Sequence, residues 1–450
     1  MRAARTSFTG LSRAERVVLI LGCLAVVASF AIRVATLAQP LVEAHAFRQT
    51  QTAYTALIYH RQGIDLLQTP LPVLGPPWVI PFEFPLYQAL AALVMDVGVP
   101  TEIALRSTSL VFFAASMILV WAIVRLEVGR RTAAVAAAAF ALAPLGLLWS
   151  RTSMIETIAV ATALAAVFEA LRWDRTGSRL DFVLAIALGA LAALLKITTA
   201  AIWLAPAIFL LRRSRVAALA LVAIPAVAGF AWTAYTDGIK AASPATAFMT
   251  STGLRDWNFG SLAQRLDPAT WWTCLGWLAG LGLVVCLAPL VVRRSRIGTW
   301  AMATLILGPL VFTNLYVVHD YYWMAVAPAA AILIGLVVRL AARPDRPWLG
   351  ETRQLALLVL FAASFVTYER WTLMFGAHDE VGVLPQAAQI RAMTDPDDLV
   401  RISQGSWSPA VLFYADRRGY MDDPHIPPGP PEYVHIVCPY PGNPGDCVRD

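Results

Sequence analysis

The feature that most constrains this chain is a series of apolar runs of about 20 residues, the length that crosses the hydrocarbon core of a bilayer. Hydrophobic residues make up 58% of the 450 residues and charged residues 14%, whereas soluble domains carry about 25% charged residues. The first run, residues 17–37, is long for a signal-peptide core, and no small-residue cleavage site follows it. The sequence therefore predicts an all-α polytopic membrane protein.

The net charge of +6 does not indicate nucleic acid as a partner, because the basic residues stand in short clusters between the apolar runs. Such clusters usually mark the cytoplasmic side of a membrane protein. They are Arg2/Arg5/Arg13/Arg16, Arg125/Arg130/Arg131, Arg172/Arg175/Arg179, Arg212/Arg213/Arg215, Arg293/Arg294/Arg296 and Arg339/Arg343/Arg346. If all of them are cytoplasmic, an even number of spans separates each neighbouring pair.

This parity rule sets the predicted topology. Residues 181–211 must form a hairpin of two short helices that turns near residues 196–199. Residues 84–97 are short for a span and contain Asp96, so we expect an interfacial or re-entrant helix there. The remaining spans are predicted at residues 17–37, 105–124, 132–150, 155–171, 216–235, 271–292, 299–316, 323–338 and 355–373. About eleven spans result, in a bacterial inner (plasma) membrane, with the N-terminus cytoplasmic and the C-terminus periplasmic.

Three long segments then lie on the outer face: residues 38–104, 236–269 and 375–450. We divide the chain into a membrane module, residues 1–374, and a small α/β domain, residues 375–450. Within this tail we predict helices at 384–393 and 408–414 and strands at 398–403 and 434–438. Cys438 and Cys447 form a candidate disulfide if the tail is exported.

The start of the first outer segment brings a carboxylate, an imidazole and a guanidinium close together in sequence, as Glu43, His45 and Arg48. These groups could form an acid/base and anion-binding site. An interfacial amphipathic helix whose polar face touches lipid headgroups is the alternative.

Other ionisable residues stand at the predicted outer ends of spans. Glu156 could face a cavity or a partner, or cap its helix or pair with Arg151. Lys196 and Arg106 could neutralise a phosphate or extend to the interface. We expect Arg33 to extend to the interface.

The sequence His319-Asp320-Tyr321-Tyr322 lies between two predicted spans on the outer face. It could be part of an aromatic belt or a binding site. The chain has no Walker loop, dinucleotide fingerprint, CxxC pair or HExxH motif. No cofactor is indicated by these motifs, and a divalent metal is left open.

Several motifs together resemble the integral-membrane GT-C glycosyltransferases, in particular the branch with protein O-mannosyltransferases and the lipid A aminoarabinose transferase. They are Glu43 followed by Phe47-Arg48-Gln49, Phe84-Pro85-Leu86-Tyr87 leading to Arg106, Glu156 after Arg151, Leu194-Leu195-Lys196, and His319-Asp320-Tyr321-Tyr322 with Pro328 beyond. The resemblance covers most of residues 16–340.

The resemblance implies transfer of a sugar, with inversion, from a polyprenyl-phosphate donor to a glycan, lipid or protein acceptor on the outer face, among membrane lipids. Arg48, Arg106, Lys196 and His319 would stabilise the departing phosphate. The remaining implied substrate-binding residues are His45, Gln51, Tyr87, Asp320, Tyr321 and Tyr322.

The family takes its general base, an Asp, from the first outer loop. Here Glu43 is the first candidate and Glu156 the second, while Gln51 stands where related motifs often have Asp. We therefore expect Glu43→Gln to abolish most activity and leave folding intact.

Two other classes are a lipid or sugar transporter or flippase and a non-catalytic envelope-assembly protein. A transporter would place ionisable residues near the bilayer midplane and show inverted repeats. The polar groups of this chain instead fall at the outer ends of the predicted spans, which favours the transferase.

Overall fold

The computed structural model describes residues 13–293, 295–342, 347–367, 382–440, 443 and 445–450. Parts of the sequence predictions lie outside the described residues, namely Arg2, Arg5, Arg294, Arg343, Arg346, the end of the last span (368–373) and the start of the tail (375–381).

Helices form the membrane module, as the apolar runs predict. In chain order the first are α1 (Arg13–Ala35), α2 (Ala46–Gln62), α3 (Leu86–Asp96), α4 (Thr101–Glu127), α5 (Arg130–Leu142), α6 (Pro144–Trp149), α7 (Glu156–Thr176), α8 (Arg179–Leu195), α9 (Ile197–Ala207) and α10 (Arg215–Ala241). They continue as α11 (Arg255–Phe259), α12 (Leu262–Leu266), α13 (Pro268–Gly280), α14 (Pro289–Val292), α15 (Arg296–Val311), α16 (Thr313–Val318), α17 (Ala327–Ala341) and α18 (Pro347–Thr367). Short 3-10 helices lie at Ala247–Met249, Leu283–Leu287 and Asp320–Ala325.

Proline interrupts two of the predicted spans. The run 132–150 is split where α6 begins at Pro144, and α15 ends two residues after Pro309. The run 271–292 is split earlier, where α13 ends at Gly280 and Gly282 has a positive φ. Proline has no amide hydrogen and cannot continue the helical hydrogen-bond ladder. Within the described ranges, α4 and α10 have both the length and the apolar composition of a span. The number of spans therefore stays a prediction.

The predicted hairpin at residues 181–211 is present as α8 and α9. The two helices are separated at Lys196, which has an extended backbone (φ −163°, ψ 96°). Its side chain is thus placed at a break, where it is not confined to the face of one helix.

Arg33 does not extend to the interface, so that prediction is wrong. Its side chain is fully buried, and its Nε donates to Ser150 Oγ at 2.6 Å. Its Nη2 donates to the carbonyl oxygens of Ala141 and Gly146. The break between α5 and α6 leaves these acceptors available inside the protein, which replaces the water that a snorkelling arginine would seek.

The tail forms a small α/β unit. Its elements are α19 (Val383–Met393), β1 (Leu399–Ser403), α20 (Ala410–Ala415), β2 (Arg418–Asp422), β3 (Val434–Val437) and β4 (Val448–Arg449). The strand order is β2-β1-β3-β4, with β1 parallel to both neighbours and β4 antiparallel to β3. The helices and strands predicted from sequence are present, while β2 and β4 were not predicted. Cys438 and Cys447 are disulfide-bonded.

The tail shares a hydrophobic core with the first outer segment. Residues 72–75 run along β2, where Gly419 N–H donates to Pro72 O at 3.1 Å and Met421 N–H donates to Val73 O at 2.8 Å. This contact covers what would otherwise be an open sheet edge. The tail is therefore held directly over the segment that carries the candidate site.

Candidate active site

The candidate site begins where the chain enters α2. His45 precedes this helix in a left-handed backbone conformation (φ 49°), and the following turns present Arg48 and Gln51. Arg48 Nη1 donates to Gln51 Oε1 at 2.6 Å, and Arg48 Nη2 donates to Glu83 Oε1. Burial alone would lower the pKa of Arg48, but the Glu83 carboxylate holds that pKa above its usual value. Arg48 is thus a partly buried cation with a carboxylate partner.

A second buried pair lies beside the first. Lys196 Nζ donates to Glu156 Oε1, and the ammonium lies 4.1 Å from the centre of the Tyr322 ring and 5.7 Å from that of Tyr321. The partner of Glu156 is therefore Lys196, not Arg151 as the alternative interpretation supposed. Glu156 Oε2 is buried without a hydrogen bond.

The two pairs form one electrostatic group. Arg48 interacts with Glu156 as well as with Glu83, and Lys196 interacts with Glu83 as well as with Glu156. We call these four side chains, with Tyr321 and Tyr322, the polar chamber. The sequence predicted all of its members except Glu83.

Histidine residues line one side of the chamber. His45 Nε2 lies 3.1 Å from Asp320 Oδ1, and its ring packs edge-on against His319 and Tyr321. Burial, together with the charges of His45, Lys196 and Arg48, lowers the pKa of His319 to about 3. His319 is therefore neutral near pH 7 in this arrangement, and its role towards the phosphate stays a prediction.

Glu43, Arg106 and Arg151 form a separate buried cluster, which we call the Glu43 clamp. Glu43 Oε1 lies 2.9 Å from Arg106 Nη2, and Glu43 Oε2 lies 3.1 Å from Arg151 Nη2. The Glu43 side chain is only 1% exposed. Arg106 is thus engaged with Glu43 and, through Nη2, with the carbonyl of Pro40 at 2.9 Å.

Tyr87 also has a local partner. Its hydroxyl donates to Leu105 O at 2.6 Å and lies 2.9 Å from Ser109 Oγ. These bonds tie α3 to α4, and the residue is fully buried. The Tyr87 hydroxyl also lies close enough to Glu156 of the chamber for an electrostatic interaction.

Aromatic rings from all three outer segments cover this region. Trp407 of the tail packs edge-on against Phe47 at 4.5 Å and stacks near Phe82 at 6.5 Å. Phe248 meets the same indole at 6.4 Å. Phe47 and Phe82 immediately precede Arg48 and Glu83, so the tail contacts both of the chain segments that carry the Arg48–Glu83 pair.

Across the described part of the chain, no three His, Cys, Asp or Glu side chains come together as metal ligands. The chamber instead combines two cations, two carboxylates and two phenols. Buried cations suit a ligand with a phosphate group.

The fold is shared with solved glycosyltransferase structures, in agreement with the GT-C resemblance of the motifs. Residues 81–234 match the family model of dolichyl-phosphate-mannose-protein mannosyltransferase. No curated protein sequence matches the chain.

Solved structures share the fold at low sequence identity. ArnT from Cupriavidus metallidurans, bound to undecaprenyl phosphate, is 15% identical with a TM-score of 0.63, covering 89% of this chain and 85% of ArnT. The archaeal oligosaccharyltransferase AglB from Archaeoglobus fulgidus, in complex with an inhibitory peptide and a dolichol-phosphate, is 10% identical with a TM-score of 0.56, covering 89% of this chain and 64% of AglB. The mycobacterial arabinofuranosyltransferase AftD is 17% identical with a TM-score of 0.52, covering 94% of this chain and 34% of AftD.

Proposed function

We propose that this chain is a glycosyltransferase that moves a sugar from a polyprenyl-phosphate donor to an acceptor on the outer face of the membrane. The observation that carries the proposal is the polar chamber. In it, the Arg48–Glu83 pair of the first outer segment lies beside the pair of Lys196, at the α8–α9 break, and Glu156, at the start of α7. The undecaprenyl phosphate in ArnT and the dolichol-phosphate in AglB support this donor class.

In this proposal the donor phosphate contacts Lys196 and Arg48, which stabilise the negative charge that develops as the sugar–phosphate bond breaks. Glu156 holds Lys196 through one oxygen. The Tyr321 and Tyr322 rings, whose centres lie 5.7 Å and 4.1 Å from Lys196 Nζ, form one wall of this group. The polyprenyl tail would lie between membrane helices, and the acceptor would approach from the outer segments.

The test uses the purified full-length protein in lipid nanodiscs. Undecaprenyl phosphate is the binding probe, and a panel of undecaprenyl-phosphate mannose, glucose and arabinose serves as donors. We expect the wild type to bind the lipid phosphate and to release labelled sugar from one of these donors.

Lys196→Met is expected to weaken undecaprenyl phosphate binding about 10- to 100-fold, because a charge-assisted hydrogen bond contributes roughly 1.5–3 kcal/mol. Lys196→Met alone leaves Glu156 as an unpaired buried charge, so the double variant Lys196→Met/Glu156→Gln is measured as well.

Arg296→Met is the control, because Arg296 is a partly buried cation of a predicted cytoplasmic cluster and pairs with Glu127 at 3.0 Å. It should bind the lipid phosphate as the wild type does. Unchanged binding in both Lys196 variants, or no sugar release by the wild type from any donor, would contradict the proposed function.

A further inference from the structure

Three glutamates in or near the site could accept a proton, and they differ in their partners and in their exposure to solvent. Both oxygens of Glu43 are bound by guanidinium groups. Glu156 is bonded to Lys196 and its side chain is only 2% exposed. Glu83 is 24% exposed and uses only Oε1 to pair with Arg48. An acceptor arriving from outside can therefore reach Glu83 and neither of the other two.

Glu83 also faces a small polar pocket. Its lining includes Arg48, Thr69, Phe82, Glu83 and Gln88. Its free volume of about 10 Å³ is enough for one water-sized group, such as a hydroxyl. The pocket is partly open and lies against the Arg48–Glu83 pair of the polar chamber.

Two polar atoms at this pocket have no partner. Thr69 Oγ1 and Gln88 Oε1 are buried and make no hydrogen bond in the described structure. Thr69 is 5% exposed and Gln88 is 6% exposed. A buried polar atom without a partner is costly, and a hydroxyl in the pocket could donate to Gln88 and exchange a hydrogen bond with Thr69.

We propose that this pocket is the acceptor-hydroxyl subsite and that Glu83 is the catalytic base. The inference rests on the proposed function and deepens it, since it names the group that accepts the proton and the chemical class of the acceptor end, a hydroxyl. It replaces Glu43 and Glu156 as candidates for the base.

The acceptor oxygen forms a bond to the anomeric carbon while the bond from that carbon to the phosphate oxygen breaks. The acceptor proton moves to Glu83 Oε2, and the polyprenyl phosphate leaves with the bonding electron pair beside Arg48 and Lys196. Phe82, next to Glu83, offers an apolar face to the acceptor.

The test compares Glu83→Gln with Glu102→Gln in nanodiscs. Glutamine keeps an oxygen that can accept from Arg48 but does not take up a proton. We expect Glu83→Gln to lower kcat about 10²- to 10⁴-fold, the range typical of general-base catalysis, without any loss of undecaprenyl phosphate affinity, because the variant removes a negative charge that competes with the phosphate for Arg48. Glu102, at the start of α4, carries the same substitution as a control and should retain wild-type kcat.

The pocket is tested separately with Thr69→Val and Gln88→Met, which remove polar atoms and nearly preserve volume. We expect these variants to raise the KM for the acceptor several-fold, leaving undecaprenyl phosphate affinity unchanged.

Two outcomes overturn the inference while the proposed function stands: wild-type kcat in Glu83→Gln, or a loss of lipid-phosphate affinity that matches the loss of kcat, which would show that Glu83 acts only through Arg48. Absence of transfer by the wild type from every donor removes the proposed function and the inference with it.

Discussion

At the scale of single residues, the Glu43 clamp illustrates how a charged motif can serve the fold. The first outer segment enters α2 through Glu43, which joins Arg106 of α4 to Arg151 beyond α6. These contacts fix three separate parts of the chain around one carboxylate. The sequence placed Glu43 at the outer face but could not reveal that two distant arginines meet it there.

Glu43→Gln is expected to destabilise the protein by about 3–5 kcal/mol, because it leaves two buried guanidinium groups without a counter-charge. Thermal unfolding of the purified variant in detergent measures this change, with Glu102→Gln as the control. A stable but inactive Glu43→Gln protein would instead support the original sequence prediction that Glu43 is the base.

His319 is expected to make the free energy of unfolding depend on pH. Its pKa of about 3 in the folded protein lies below the ordinary value of about 6.5, so the unfolded chain binds more protons between these values. Stability is therefore lost as pH falls below about 6.5.

Between pH 7 and pH 5 we expect His319 to cost the wild type about 2 kcal/mol of unfolding free energy, a loss absent from His319→Gln. Unfolding midpoints at the two pH values test this, with the exposed His425→Gln as the control. Equal acid sensitivity of the wild type and His319→Gln would refute the assignment.

The sequence predicted all of the chamber residues except Glu83, for reasons that can be traced to each position. Arg48, Lys196, Glu156 and the Tyr321-Tyr322 pair were found because ionisable and aromatic groups stood at the ends of apolar runs. Glu83 was missed as a site residue because its partner Arg48 lies 35 positions away. A usable signal existed, since Glu83 is the one charge within an aromatic and proline-rich stretch and a charge there needs a partner.

At the scale of elements, periodicity predicted α19, α20, β1 and β3 closely. The missed strand β2 has a charged residue at each end, and it is completed by pairing with β1 and with residues 72–75. Those contacts are long-range, so local sequence carries little sign of them. The spans that break at proline have a local cause, because proline lacks the amide donor that a continuous helix needs. Hydrophobic length alone predicts one unbroken helix there.

Gly419 tests the docking of the tail at this scale. A Cβ atom added at Gly419 would lie 1.8 Å from the carbonyl oxygen of Val400, so alanine must push β2 away from β1. We expect Gly419→Ala to destabilise the tail by at least about 1–3 kcal/mol.

Faster trypsin cleavage of the tail in the intact protein would report this loss. Gly238→Ala is the control, because a Cβ there meets no atom within 4 Å. Equal cleavage rates in the two variants would show that β2 tolerates the added atom.

At the scale of the whole molecule, the arrangement of the outer segments depends on which side of the membrane they occupy. Basic clusters predict that the tail is exported, and the Cys438–Cys447 disulfide suits an oxidising compartment. Alkaline phosphatase fused after residue 450 should be active in intact bacteria, whereas a fusion after Arg175 should be inactive. The opposite pattern would invert the predicted topology and separate the chamber from the outer face.

The indole of Trp407 has a consequence for how proteins with this fold can exchange segments. It lies against Phe47 and Phe82, the immediate neighbours of Arg48 and Glu83, and also against Phe248. A chimera that receives residues 375–450 from a relative would place a different side chain, in place of the Trp407 indole, against these phenylalanines. Exchange of the tail alone should therefore fail unless these three phenylalanines are exchanged with it. The tail and the two outer segments that carry the phenylalanines are thus expected to evolve together.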